Sequence, residues 1–451
     1  MKKFWSILLA AALLAAALAG CRSRGEESGE SGGKAVTIRY LNFKPEVAGI
    51  YEEISRLYQQ ETGVRVLVET AGNNSYEQTL AAKMGTAEAP TIFQINGPRG
   101  FASWKDYCAD LTDTELYKHL TDPDAAVSSG GGVYGIPYVV EGYGIIYNKA
   151  ITDRYFALEN RGTAYTSMEE INSFGALSAL VKDMQAHREE LGIRGVFGVT
   201  SLKAGEDWRW QTHLANLPVY YEFKNNNVDL TGEDIKNLAF EYGGNFKNIF
   251  DLYIDNSTTD RKLLGSKIVD ESTAEFATGQ CAMVQNGNWV WNQMKNVSGL
   301  AVRAEDVRYL PIYIGIEGEE KQGLCIGTEN FYCINRKASQ AEQQAAADFL
   351  YWLYSSETGK RIVTQDLGFI APFDTFTEEE MPEDPLAREV AAWMRREDVV
   401  NIPWNFTIFP SQTFKADFGS ALLRYAQGTM SWDEVEELVK DRWLRESEAI
   451  L

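Results

Sequence analysis

Between Val36 and Ile95 the chain switches repeatedly between a two-residue and a 3.6-residue hydrophobic period, and that alternation restricts the fold more than any other feature. Val36-Thr37-Ile38-Arg39-Tyr40-Leu41 is a run of β-branched and aromatic residues and reads as a strand. A helix follows from about Glu46 to Gln60, because Val47, Ile50, Tyr51, Ile54, Leu57 and Tyr58 recur in steps of three and four. Gly63 is placed to stop it. Val64–Glu69 reads as a strand, Tyr76–Met84 as a helix and Thr91–Ile95 as a third strand. A βαβαβ succession predicts parallel strands with helices on the sheet faces.

The same alternation recurs downstream. Helices are predicted over Ser167–His187, from near Thr231 (with Asp234 completing a near capping box), over Ala338–Tyr354 and over Ser431–Arg445. A strand is predicted at Val196–Val199. At 451 residues two domains are expected rather than one, so the pattern predicts an α/β protein of two lobes. Each lobe is expected to hold a mainly parallel sheet flanked by helices.

Ligands of open parallel sheets sit beyond the carboxyl ends of the strands. Three loops occupy that edge: Phe43-Lys44-Pro45, Asn73-Asn74-Ser75 and Asn96-Gly97-Pro98. They offer amides, a hydroxyl and a ring but no nucleophile–base pair. Asn, Gly, Pro and Ser are also ordinary turn residues, so each loop alone is equally well read as a turn. Together they predict a polar cleft.

The N-terminus carries a different message. Lys2 and Lys3 precede an uncharged, mostly apolar run from Phe4 to Gly20, the layout of a secretory signal. Its end, Leu18-Ala19-Gly20-Cys21, resembles the bacterial lipobox, which implies a signal over 1–20, lipidation of Cys21 and attachment to a membrane. A plain cleaved signal with an incidental cysteine is the alternative. Each buried methylene of an acyl anchor contributes about 0.8 kcal/mol. Residues 21–35 are polar and glycine-rich after the cysteine and read as a flexible tether.

Composition closes off several chemistries. With 43 basic and 64 acidic side chains the net charge is −21, which argues against a nucleic-acid partner. His119, His187 and His213 match no zinc spacing, so no metal site is expected. Cys325 and Cys333 flank Gly327-Thr328-Glu329-Asn330, read as a hairpin loop across which they could bridge; with Cys108 and Cys281 they are otherwise buried free thiols.

Several blocks then carry a family likeness. Gly132-Val-Tyr-Gly-Ile-Pro-Tyr138 and Gly144-Ile-Ile-Tyr-Asn-Lys149 resemble a signature of the extracellular solute-binding proteins of bacterial ABC importers, the maltose-binding group. Glu275-Phe-Ala-Thr-Gly-Gln-Cys-Ala-Met-Val-Gln-Asn-Gly-Asn-Trp-Val-Trp291 is similar to that family's later block, as are Ala345–Leu353 and Gly368-Phe-Ile-Ala-Pro372. The resemblance implies a periplasmic-binding-protein-like fold with an N-terminal lobe over about 36–140 and 312–370 and a C-terminal lobe over 141–311 and 371–451. Crossings are implied near Val139–Tyr143, Leu310–Pro311 and Phe369–Pro372. It also implies a monomer without cofactor or catalysis on the extracytoplasmic face of the membrane, delivering its ligand to an ABC permease.

A sugar presents an apolar face and a rim of hydroxyls, so its pocket needs aromatic rings and planar amides or carboxylates. Candidate ligand-binding residues are Phe43, Lys44, Asn73, Asn74, Asn96, Tyr138, Glu141, Tyr143, Trp208, Asn286, Asn288, Trp289 and Trp404. Trp289 matches the family's stacking tryptophan, and Gly287 before it permits close approach; a core tryptophan is the other reading. Glu141 is placed to accept sugar hydroxyls. The function so implied is capture of a carbohydrate, an oligosaccharide, for import. A secreted glycosidase with paired carboxylates and a non-transporting surface glycan binder are the alternatives.

Overall fold

The computed structural model describes residues 36–72, 75–230, 232–377 and 379–448. The expected signal segment, Cys21, the tether, Asn73, Asn74 and Thr231 lie outside the described residues. Among the described residues no helix is long and apolar enough to cross a membrane.

The first sixty described residues follow their hydrophobic periods closely. Strand β1 (Thr37–Asn42), helix Ala48–Thr62, β2 (Arg65–Thr70), helix Tyr76–Met84 and β3 (Ile92–Asn96) succeed one another as expected. Gly63 closes the first helix in the left-handed region at φ 77°, donating its N–H to Gln59 O. Strands β2 and β3 both lie parallel to β1.

Beyond that point the pairing becomes mixed. The remaining strands are β4 (Val127–Ser129), β5 (Gly132–Pro137), β6 (Glu141–Asn148), β7 (Gly195–Phe197), β8 (Cys281–Gly287), β9 (Val307–Leu310), β10 (Gln322–Gly327), β11 (Asn330–Ile334) and β12 (Val400–Ile402). One six-stranded sheet has the order β2-β1-β3-β11-β5-β4. The other runs β12-β10-β6-β8-β7, with β9 also on β6. Only β2–β1, β1–β3, β12–β10 and β8–β7 are parallel; the other pairs are antiparallel. The expected predominance of parallel pairing is thus corrected. Strands β11 and β6 enter their sheets directly from the opposite sheet, without a crossover helix to reverse them.

Strand β6 is the hub of the second sheet. All eight of its residues are buried. Gly144 permits this density, because a Cβ there would sit 2.7 Å from Leu310 O on the neighbouring strand.

Strand partners change between Pro137 and Glu141 and again between Gly327 and Asn330. A third passage is marked by Val140, which bridges Ile370 and donates its N–H to Ile370 O at 2.8 Å. The expected crossing at Leu310–Pro311 is displaced, because β10 pairs with β6 and β12 in the second sheet. For the same reason Cys325 and Cys333 do not face each other across a hairpin. They lie in different sheets, and all four described cysteines are free and buried.

Two helix expectations also shift. The Ser167–His187 period breaks at Ile171, and the helix proper is Phe174–Ala186, capped by Ser173 Oγ on Ala176 N. Near residue 231 only a short 3₁₀ turn, Glu233–Lys236, forms before the helix Gly243–Asp255. The buried Glu222 carboxylate accepts the Ala239 and Glu241 N–H groups at 2.6 and 2.7 Å, removing donors a helix would use internally. Phe240, between them, adopts φ 53°. By contrast the Ser339/Glu342 and Ser431/Glu434 boxes start the helices Gln340–Ser355 and Trp432–Glu448.

The cysteine arrangement has a direct test. The chain from Val36, unfolded in guanidinium without reductant, is expected to yield four titratable thiols with a chromogenic thiol reagent. A yield of two would show a bridge.

Candidate functional site

The second sheet ends in a floor of three strands at one edge. Gly327 of β10 pairs with Glu141 of β6, and Tyr143 of β6 pairs with Gly287 of β8. Two tryptophans lie directly on the two glycines. A Cβ on Gly327 would come within 2.7 Å of Trp404 Cγ, and one on Gly287 would collide with the Trp289 ring. The role of Gly287 is therefore to seat Trp289 against the strand. Asn288 locks this turn by accepting the Gly142 N–H at 2.9 Å. Buried Asn216 fixes the other ring's segment, donating to Pro403 O and accepting from Phe406 N, both at 3.0 Å.

Between the two tryptophans stands His213, which the sequence reading considered only as a metal ligand. Its ring stacks on Tyr143 at 4.2 Å and 7°. It also meets Trp208 at 4.7 Å, Trp289 at 5.5 Å and Trp404 at 6.0 Å. Trp208 and His213 come together because Arg209–Leu214 is a π-helical turn, which aligns residues five apart. A search at helical spacing of three and four passes over that pair; a test of i,i+5 aromatic spacing is the signal that finds it.

Arg209 completes this wall. It is buried, its guanidinium lies 3.9 Å from the Trp208 ring, and its Nε donates to Asn286 Oδ1 at 3.2 Å. Burial lowers its pKa to about 9, against the raising influence of Glu206 and Glu46. Burial, with Arg209 and Lys415 nearby, also drives the His213 pKa well below its usual value, so the ring is neutral.

The first sheet meets this floor through the ends of β1 and β3. Lys44, after β1, donates Nζ to Glu141 Oε1 at 2.7 Å, and both side chains are under 10% exposed. Burial alone would lower the Lys44 pKa, but Glu141 and Glu46 outweigh it and raise it. Burial pushes the Glu141 carboxyl up, with the Lys44 ammonium opposing. Asn96, ending β3, donates to Glu329 Oε1 at 2.9 Å. Nearby the helix Gly97–Trp104 reaches the second sheet's side, where Arg99 Nη2 donates to Ile408 O at 3.5 Å.

The structure therefore brings together Lys44, Asn96, Glu141, Trp208, Asn286, Asn288, Trp289 and Trp404. Glu141 is engaged by Lys44 and Asn288 by Gly142, so both act as framework. Phe43 packs edge-on against Tyr76 at 5.2 Å at the rim of the first core. Tyr138 is not at the floor: it is fully buried, stacked on Tyr332 at 4.5 Å within the first core. Tyr143 is likewise buried, its hydroxyl donated to His213 O at 3.0 Å, and it supports the histidine from behind. Among the described residues, the buried polar atoms around the floor that have no partner include Asn96 Oδ1, Asn286 Nδ2, Trp289 Nε1 and Trp404 Nε1. Such groups are costly unless something satisfies them, so a polar partner brought to them would gain most there.

Two stability measurements follow. Lys44→Met leaves Glu141 as a buried, unpaired acid and is expected to cost about 3–5 kcal/mol in urea unfolding. An unchanged midpoint would show that the pair does not form. His213 has a depressed folded pKa, so the unfolded chain binds the extra proton; stability is expected to fall as pH drops below 6.5, by about 1.4 kcal/mol per unit from this group. His213→Gln should flatten that slope; an identical pH profile would contradict the burial of a neutral ring.

Comparison with known proteins places the fold. Residues 53–389 match the family model described as "Bacterial extracellular solute-binding protein". A melibiose/raffinose/stachyose-binding protein of Bacillus subtilis (strain 168) is 27% identical over 159 residues, covering 34% of this chain. That match spans only 36% of the relative's length. A chitin oligosaccharide binding protein has the same fold at a TM-score of 0.69 and 17% identity, covering 92% of this chain and 98% of that one. A sugar transporter from Bacillus licheniformis in complex with stachyose aligns at a TM-score of 0.65 and 15% identity, over 91% of this chain and 100% of that one. These are proteins that bind rather than enzymes, and the two-sheet α/β architecture is theirs. With three quarters of its length under the family model, the chain belongs to the bacterial extracellular solute-binding proteins.

Proposed function

We propose that this protein captures an oligosaccharide between its two sheets and delivers it to an ABC permease, held at the extracytoplasmic membrane surface by a lipid on Cys21. The two sheets act as two lobes, one built on about 36–140 and 330–370, the other on about 141–327 and 371–448. The observation that carries this reading is the wall of Trp208, Trp289 and Trp404 with its unpartnered donors on Asn286, Trp289 and Trp404. Ring faces match the apolar face of a pyranose, and free N–H groups match its hydroxyls. The relatives named above bind raffinose-type and chitin-type oligosaccharides, which is the same chemistry.

Capture and delivery follow from where the contacts lie. A guest touching Trp289 on one sheet's side and Asn96 on the other's favours the state in which both are near. A guest bound to one side alone shifts nothing. Hydrolysis is disfavoured as a reading, because Glu141 is taken by Lys44 and Glu329 by Asn96, so neither of these two carboxylates stands free to act on a sugar.

Trp289→Ala is expected to weaken oligosaccharide binding by about tenfold or more, roughly 1.4 kcal/mol, with little change in melting temperature. Titration calorimetry against raffinose, stachyose and chitin oligosaccharides measures it. Unchanged affinity would remove Trp289 from the site.

A further inference from the structure

Two cations on the second sheet's wall, Arg209 and Lys415, have no ion-pair partner among the described residues. Arg209 is 3% exposed; Nε is used by Asn286 and the guanidinium face by Trp208, while its two Nη groups donate to no acceptor among the described residues. Lys415, from the helix Gln412–Ala426, is half-buried and makes no ion pair or side-chain hydrogen bond among the described residues. The helix Gln412–Ala426 packs on the π-helical turn Arg209–Leu214, with Gly419 lying against the Asp207 carboxylate, so Lys415 is carried on the element that covers Arg209 and His213.

Of the carboxylates that act on them, four are already engaged, and Asp270 is exposed and pairs with neither cation among the described residues. Glu46 lies 3.6 Å from Lys44 Nζ, and Glu329 accepts from Asn96 at 2.9 Å. Glu77 accepts from Trp104 Nε1 at 3.0 Å, and Glu206 pairs with Lys203 at 3.2 Å. Leaving a buried guanidinium without a counter-charge is unfavourable, and a neutral hydroxyl compensates it only in part. A carboxylate offers both charge and the planar two-oxygen geometry that a guanidinium fork matches. In a chain of net charge −21, two unpaired cations on one cleft wall form a local attractor for an anion.

We propose that the saccharide taken by this cleft carries a carboxylate, as in a uronic-acid unit, seated on Arg209 Nη and Lys415 Nζ beside the Trp208 ring. This rests on the carbohydrate reading above and narrows it. Trp208 stacks the ring, Arg209 and Lys415 read its acid, and the donors on Asn286, Trp289 and Trp404 serve the neighbouring units.

Calorimetry on the chain from Val36 tests this with matched pairs: trigalacturonate against the neutral galactose trimer, and xylotriose with and without a glucuronate branch. The neutral set also includes raffinose, stachyose and chitin oligosaccharides. The acidic member of at least one pair is expected to bind about tenfold or more tighter than its neutral partner, an advantage that shrinks as salt rises. Lys415→Gln and Arg209→Gln are each expected to reduce that preference below about threefold. If Arg209→Gln fails to fold, Lys415→Gln alone carries the test, since Lys415 is only partly buried and holds no ion pair or side-chain hydrogen bond among the described residues. Neutral sugars binding as tightly as acidic ones would overturn the proposal while leaving carbohydrate capture standing. Binding of no saccharide in the set would overturn both.

Discussion

A buried ion pair, Lys44 with Glu141, joins the end of β1 in one sheet to the start of β6 in the other. Everything at the candidate site is built outward from that junction. Glu141 lies opposite Gly327, which seats Trp404, and two residues from Tyr143, which lies opposite Gly287 and so beside Trp289. Losing either partner would strand a charge in a dry interior, so the two strand ends stay in register. Beside the junction, Val140 bridges Ile370, so two of the passages between sheets run side by side as one connection. The proposed closing of one lobe on the other would turn on these few residues.

Upon this fixed base the wall is assembled from three distant stretches of chain. The π-helical turn brings Trp208, Arg209 and His213; the end of β8 brings Asn286 and Trp289; the segment before the 3₁₀ turn Asn405–Ile408 brings Trp404. Rings touch rings, and the planar groups at their edges keep N–H donors free. Each such donor is individually worth about 1 kcal/mol when satisfied, but several satisfied together by one rigid guest add to a specific affinity.

The parts of this design legible in the sequence are those that depend on short-range regularity. Periodicity located β1 to β3 and their helices, Gly63 announced its own C-cap, and the helix read from Ser431 starts directly after it. Gly287 before Trp289 revealed a close approach, although the ring itself fills it. What escaped depends on partners far along the chain. Glu141 reads as a free hinge carboxylate until Lys44, 97 residues earlier, is seen beside it. Gly327–Asn330 reads as a hairpin turn until β10 and β11 are found in separate sheets. The helix expected from Thr231 is forestalled by Glu222, whose carboxylate takes the backbone donors first. His213 was hidden by a spacing of five that ordinary helical reading does not sample.

The central claim is that one guest is held between an aromatic wall on the second sheet and the strand ends of the first. A crystal structure of the chain from Val36 with a bound oligosaccharide tests it most directly. The account predicts a sugar ring on the face of Trp289 or Trp208, with hydroxyls on Asn286 Nδ2 and on Asn96. A sugar bound elsewhere, with those atoms still unpartnered, would contradict it.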